Sequence, residues 1–497
     1  MGVFMSFDLV CREEEISILE QFYQSEKAEL LALYGRRRVG KTFLIRAFFS
    51  GKEDAIFFNS TGMKDGPMAE QIINFVEEIG ESFLYKGARL EAGKNWRETF
   101  RILTDNINAV SKNRKIVLFF DEFPWMATKN SRLLQSLEYF WNQHWSKDKR
   151  IKLIICGSSA SWIIKKIVRN TGGLHNRLTR EILLEPLNLC NTKRFLKSIG
   201  AKLSNQQAIQ IYLVTGGIPY YLSNFNKNLS VVQNIEELCF RRKGLLIEEF
   251  DKLYASLFND HEVYVEIIRA IASHKYGLGQ SDLFHRVKAS LKGKSGLEKL
   301  DSLINSSFII NLKPMGHSKK GVYYKVIDEY TLFYLSWIEP IKESLMLRSL
   351  KRGYWEKQQN TGSWNTWAGY AFEAICYKHI IQISDALKLS PSAAPYAWRH
   401  VPRTQNAKTR GAQIDLLFDR EDDAITLCEI KYTAKPFIID REYAEKLQKK
   451  VDVFKRVTGT KKQIFIAMIS ANGVKSNKYS SELLSHIVTL DDFFKEI

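Results

Sequence analysis

Six cysteines are scattered over 497 residues (Cys11, Cys156, Cys190, Cys239, Cys376 and Cys428), and no two of them stand as a CxxC pair. That scatter offers neither a zinc site nor a disulfide framework. Cys156 and Cys428 fall in apolar, strand-like runs and read as reduced core residues. No apolar run reaches the roughly 18 residues that suggest a membrane span. The N-terminal stretch "MGVFMSFDLVCREEE" has no basic region and no cleavage site of a secretory signal. The expectation is therefore a cytoplasmic protein with no membrane partner. Acidic residues are in short supply: 55 Asp and Glu face 73 Lys and Arg, a formal net charge of +18.

What remains is the composition of a globular protein, with 45% hydrophobic and 26% charged residues. The length suggests about three domains. The excess charge is clustered: "GRRRVGK", "KDKRIK", "FRRKG", "LKGKSG", "HSKKG" and "KLQKKVDVFKR". Such clusters favour a polyanionic partner, most simply nucleic acid. A solvated surface is the alternative reading of any charge run.

The clearest motif is "LLALYGRRRVGKTFLIRAFF" at residues 30–49. An apolar strand runs into Gly35, Arg36, Arg37, Arg38, Val39, Gly40, Lys41 and Thr42. Phe43 then opens a helix with Leu44, Ile45 and Phe48 on its apolar side. This is the phosphate-cradling loop in its required strand–loop–helix setting. The glycines let backbone N–H groups curl around phosphate oxygens, and the helix N-terminus adds to the anion site. Lys41 would reach the β- and γ-phosphates of ATP, and the Thr42 hydroxyl would bind Mg²⁺.

A second apolar strand, "KIVLFF", ends in Asp121-Glu122. Asp121 would hold the Mg²⁺ shell, and Glu122 would orient and activate the attacking water. An acidic pair at a strand end also suits a helix N-cap. A third strand, "IKLIICGSS", delivers Ser158, a polar group able to touch the γ-phosphate or the water; serine is also common in plain turns. Arg177 and Arg180 precede a further strand. Either could stabilise transition-state charge, and either could be a surface ion pair.

These segments resemble the archaeal-type ATPases of the AAA-like STAND group over about residues 7–225. The resemblance rests on "FDLVCREEEISIL", with Arg12 and Glu13 in an adenine-side box, and on "YGRRRVGKT", "LFFDEFPW", "ICGSS" and "TGGIPYYL". It implies a parallel-sheet α/β core over residues 1–189 and a helical lid over 190–258, with Gly216, Gly217 and Pro219 near the nucleotide. No sensor-2 arginine stands beside that turn.

Residues 262–327 read as three helices and a hairpin, the grammar of a winged helix. Ser281 is the expected N-cap of the second helix, and Lys319 and Lys320 occupy the turn of the wing. The third helix and those lysines would face DNA; a packing role is the alternative. The winged helix with its connector is expected over 259–345.

The last third carries a helix with Glu373, a strand "GAQIDLLFDR" with Asp415, and a strand "AITLCEIKYT" with Glu429 and Lys431. Strict alternation would put Gln413, Asp415 and Leu417 on one face, and Leu427, Glu429 and Lys431 on one face of the next strand. Burying a carboxylate beside an ammonium is costly unless a partner or metal compensates. Asp415 and Glu429 are hard oxygen ligands for Mg²⁺ or Mn²⁺, with Glu373 completing the shell and Lys431 positioning the water or neutralising the phosphorane. A structural Glu–Lys pair is the alternative. The stretch at about 330–460 resembles the PD-(D/E)XK nuclease-like domain fused to archaeal-type ATPases, which implies a restriction-endonuclease-like α/β domain over 346–497. The function expected is ATP binding and hydrolysis coupled to binding of DNA rather than RNA, with metal-dependent phosphodiester cleavage and possible homo-oligomerisation. The alternative is an ATP-driven switch whose nuclease-like domain is inert and only binds DNA or a protein.

Overall fold

The computed structural model describes residues 9–496 apart from 170–171, 175, 288–292, 314, 316–320, 348–350 and 401–410. The chain divides into two compact units, residues 1–186 and 187–497. The segment expected to form the lid lies wholly in the second unit.

The first unit is built on a five-stranded parallel sheet. Its strands are β1 (Glu29–Tyr34), β2 (Ala55–Thr61), β3 (Lys115–Asp121), β4 (Ile151–Gly157) and β5 (Arg180–Leu183), in the order β2-β3-β4-β1-β5. Every residue of β1 and β4 is buried. That is why both are apolar throughout except for Glu29 and Lys152, and do not alternate: a parallel sheet is covered on both faces. Helices α1 (Glu13–Gln24), α2 (Lys41–Phe49), α3 (Met68–Ile79), α4 (Trp96–Ala109) and α5 (Leu133–Gln143) accompany the sheet. The core between sheet and helices is strongly aromatic. Phe75 lies 5.4 Å from both Trp96 and Phe120, and Phe100 lies 5.3 Å from Trp145, ring centre to ring centre. Such pairs add to plain area burial and fix the helices' positions.

The second unit starts with helices that include α6 (Leu189–Ser198) and α7 (Asn205–Thr215), the latter opened by a capping box between Ser204 and Gln207. Next come α8 (His261–Ala272), α9 (Gln280–Arg286) and α10 (Gly293–Asn305) with a small antiparallel sheet. Its strands are β6 (Leu278–Gly279), β7 (Ile309–Leu312) and β8 (Tyr323–Val326), in the order β6-β8-β7. Three helices and a hairpin are present where expected. The second helix, however, begins one residue earlier than its expected cap: Ser281 lies inside α9, and extended Gly279 holds the cap position with no side-chain bond. Lys319 and Lys320 lie outside the described residues.

After α11 (Glu329–Phe333), helix α12 (Gly362–Lys378) leads to a second five-stranded sheet, now mixed. It comprises β9 (Ala394–His400), β10 (Ala412–Asp419), β11 (Ala424–Lys431), β12 (Gln463–Ser470) and β13 (His486–Thr489), in the order β13-β12-β11-β10-β9. β11, β12 and β13 run parallel, while β10 is antiparallel to both neighbours. Helix α13 (Arg441–Thr458) lays Val451 and Phe454 on Ile414, Leu417, Ile425 and Leu427. Strict alternation along β10 does not hold. The register against β9 shifts between Ile414 and Leu417, and both join the same apolar cluster. One extra residue at a bulge re-aims the side chains beside it, and Asp415 stands there.

Candidate nucleotide site and charged cleft

Parallel strands end on the same edge of a sheet, so the loops after β1, β3 and β4 meet there. Tyr34 of β1 pairs with Gly157 of β4, and β3 lies on the far side of β4. At this edge Gly35 has φ +150°, and a Cβ on it would sit 2.2 Å from the Leu184 carbonyl oxygen. Only glycine fits that approach. Lys41 is 6% exposed and folds back onto the loop, donating to the carbonyls of Gly35 (2.9 Å) and Arg36 (3.0 Å). Thr42 Oγ1 donates to Asp121 Oδ2 at 2.7 Å. Arg12 donates to the carbonyls of Val39 and Glu185, which ties the entry segment to the loop. Arg36 and Val39 are buried, Arg37 and Arg38 are not fully so, and Phe43 is exposed.

Glu122 is held in a left-handed conformation, φ 45° and ψ 42°. Its Oε2 accepts from the Ser158 backbone N–H at 3.0 Å and from Ser158 Oγ at 2.8 Å. Its own N–H donates to Asp121 Oδ1. Thr42, Asp121, Glu122 and Ser158 therefore form one linked group, with Lys41 beside Thr42 in the chain. Thr42 and Asp121 are hard oxygen donors already in contact, a set that suits Mg²⁺ on a nucleotide. Arg177 is exposed, and Arg180 pairs in register with Leu31, three residues back from the strand end that carries the loop. The fold does not bring these two arginines into the linked group.

The second candidate site is a cleft of about 780 Å³ wholly within the second unit. Glu373, Asp415, Glu429 and Lys431 all line it. Asp415 Oδ2 accepts from the Ile430 N–H at 3.2 Å. Glu429 is 5% exposed and fully engaged: Oε1 accepts from Lys431 Nζ (2.9 Å) and Tyr443 OH (2.7 Å), and Oε2 from Lys450 Nζ (2.6 Å). Burial would raise the Glu429 carboxyl, but Lys450, Lys431 and Tyr443 hold it well below the usual carboxylate range. Asp415 goes the other way, pushed up by burial and then by the charges of Glu429 and Glu373. One acid of the pair is thus ionised and the other short of a cation.

The expected three-acid shell is not assembled. Glu373 is ion-paired with Lys325 of β8, and among the described residues no group of three or more His, Cys, Asp or Glu is arranged to hold a metal. The residues that fit a divalent ion are Asp415 and Glu429, provided the lysines on Glu429 give way. Sequence reasoning missed Tyr443, Lys450, Lys325 and Tyr377, whose hydroxyl donates to the Asp415 carbonyl. Tyr443 and Lys450 stand seven residues apart on α13, two turns on one helical face. That spacing was the available signal, but it carries no pointer to Glu429.

Among the described residues no helix is long and apolar enough to cross a membrane. Residues 9–225 match the model of an ATPase domain found predominantly in Archaea. The chain is similar to an uncharacterized protein of Methanocaldococcus jannaschii, 26% identical over 427 residues, covering 85% of this chain and 87% of that one. A 44-residue stretch is 52% identical to an uncharacterized ATP-binding protein of the same organism, 9% of this chain and 75% of that one. Among solved structures it is similar to a Walker-type ATPase of Pyrococcus abyssi (20% identity, TM-score 0.45, 66% of this chain and 96% of that one). It is also similar to the ORC2 protein of Aeropyrum pernix (15%, TM-score 0.44, 70% and 97%). The phosphate loop, Asp121-Glu122 and Ser158, gathered on one edge of a parallel five-stranded sheet, all lie within the residues 9–225 that match this ATPase-domain model.

Proposed function

We propose that the protein binds and hydrolyses ATP with Mg²⁺ in its first unit and binds nucleic acid in the charged cleft of its second, where it cleaves phosphodiesters. The observation that carries the first half is the chain of contacts Thr42–Asp121–Glu122–Ser158. Lys41 leaves the loop carbonyls for the β- and γ-phosphates, which are stronger acceptors. Ser158 holds the Glu122 carboxylate, and Glu122 takes the proton of the attacking water. Mg²⁺, when bound, would supply charge neutralisation at the γ-phosphate, and Thr42 and Asp121 would hold it.

In the cleft, Asp415 and Glu429 would carry Mg²⁺ or Mn²⁺, which lowers the pKa of water and stabilises the scissile phosphate. Lys431 faces the same space and neutralises the developing charge. The module of residues 259–345 is read as a winged helix serving as one wall of this region. A second reading has its own observation: both oxygens of Glu429 are occupied by Tyr443 and two lysines, and Glu373 by Lys325. That network suits an ATP-driven switch with an inert cleft.

Incubation of purified protein with plasmid DNA and Mn²⁺, with and without ATP, separates the two. Cleavage by the wild type that disappears in Glu429→Ala and in Lys431→Ala, while ATP hydrolysis persists, supports the nuclease. ATP hydrolysis with no cleavage under any condition leaves the switch.

A further inference from the structure

The cleft has a second population of side chains that metal chemistry does not use. One wall is the turn between α8 and β6. The Gly277 N–H donates to the His274 carbonyl at 3.0 Å, closing a tight turn. Gly277 has φ +79°, and a Cβ there would lie 2.7 Å from the Tyr323 ring. The turn is therefore pressed onto β8, and the residue before it, Tyr276, is turned outward, 44% exposed. Arg399 of β9 brings its guanidinium 5.7 Å from the Tyr276 ring centre. Beside them Lys275 lies 4.1 Å from the Tyr370 ring centre. All four line the cleft. The facing wall is α13, whose Lys446 and Lys449 are exposed at the lip.

Glu442 and Glu445 of α13 line the cleft too, and Glu445 pairs with Lys449 at 3.9 Å across exposed side chains, a weak pair that a phosphate can displace. One lip thus offers planar groups, and the other offers the cations Lys446 and Lys449. In a duplex both faces of each interior base are covered by its neighbours, and the outside presents phosphates and base edges. A tyrosine ring beside a guanidinium plane recognises the face of a base, and every unpaired base has one to offer. Lysines track the backbone whatever the sequence. We propose that the cleft takes single-stranded nucleic acid, with an unpaired base stacked on Tyr276 beside Arg399 and the phosphates held by Lys446 and Lys449. This rests on the reading of the cleft as a nucleic-acid site and narrows its substrate to strands that are single or locally opened. It also gives the 259–345 module a defined part: it supplies the stacking platform of the cleft.

The test is fluorescence anisotropy with the full chain in EDTA, using a labelled 20-mer of oligo-dT and a labelled 20-base-pair duplex, across a salt series. The expected result is single-strand binding at least tenfold tighter than duplex binding. Tyr276→Ala should lose about tenfold of single-strand affinity with an unchanged salt slope, because stacking releases no counterions. Tyr276→Phe should retain the affinity, since only the ring face is used. Lys446→Ala combined with Lys449→Ala should instead flatten the slope by about 1.4. Tyr276 is on an exposed turn, and a melting temperature within a degree or two of wild type would show that its variants fold. Equal or tighter binding of the duplex, or a Tyr276→Ala variant that keeps its single-strand affinity, overturns the assignment of substrate alone. No binding of either probe at low salt overturns the nucleic-acid reading of the cleft together with it.

Discussion

Glu122 is a non-glycine residue held at φ 45°, a conformation that costs roughly 1–3 kcal/mol and persists only where its surroundings insist on it. Here the two hydrogen bonds from Ser158 do so, and they aim the carboxylate at the edge where the phosphate loop opens. The residue is the second acid of its motif and holds the N-cap position of the short helix 123–126, but its side chain makes no capping bond to that helix. Replacing it by glutamine keeps the shape and the Ser158 contact but removes the proton acceptor. Glu122→Gln should bind ATP-Mg²⁺ with nearly wild-type affinity and hydrolyse it about 10²–10⁴ times more slowly. Lys41→Ala should lose binding itself, because its ammonium is the charge that meets the phosphates. Isothermal titration and a phosphate-release assay read the two effects separately. A Glu122→Gln enzyme with unchanged turnover would remove this carboxylate from the mechanism.

At the scale of elements, α12 links distant parts of the second unit. From one helix, Glu373 reaches Lys325, Tyr377 reaches the Asp415 carbonyl and Lys378 reaches Glu329. His379 follows immediately and is completely buried. Its Nε2 accepts from the Leu189 N–H at the start of α6 (3.1 Å), so the proton resides on Nδ1 and is donated to the Ile375 carbonyl (2.8 Å). The ring must be neutral to serve both partners. Burial holds its pKa down at about 4, with the nearby Lys378 charge acting in the same direction. Between about pH 6.5 and 4 the unfolded chain binds a proton that the folded one refuses. The stabilisation is therefore complete above pH 6.5 and is lost as the pH falls towards 4, by about 3 kcal/mol in total. Urea melts of the second unit's transition at pH 7.5, 6.5, 5.5 and 4.5 should show this slope, and His379→Gln, which cannot titrate, should flatten it. Equal slopes in the two proteins would mean that the imidazole is not the group responsible.

At the scale of the whole molecule the dominant fact is a net charge of +18. If that excess meets a polyanion, binding releases counterions and weakens steeply with salt. For about six phosphate contacts on a single strand, the slope of log affinity against log salt should be near −4. On the proposed reading, nucleotide binding in the first unit would use buried Lys41 and backbone N–H groups and should depend far less on salt. A flat salt response of nucleic-acid binding would make the charge a solvation device and nothing more.

The nucleotide site was legible in the sequence because its chemistry is local. Gly35 to Thr42 act as one consecutive loop, Asp121-Glu122 and Ser158 end apolar runs, and a parallel sheet must bring such ends to one edge. The acids of the cleft were legible for a related reason: Asp415, Glu429 and Lys431 sit where a buried strand has no use for charge. Three things were not readable. The bulge in β10 has no signature in "AQIDLLFD", because it arises from register against β9. Tyr443 and Lys450 reach Glu429 only because α13 packs across the sheet, 14 and 21 residues downstream of it. Glu373 answers to Lys325, a residue of another module, and not to the metal shell its motif suggests. The amino-acid order by itself determined which residues carry charge into buried strands and where the phosphate loop lies, since both follow from neighbours in the chain. Tertiary packing alone decided which partner each buried carboxylate meets, because that depends on helices and hairpins arriving from elsewhere, and desolvation makes the nearest cation the one that wins.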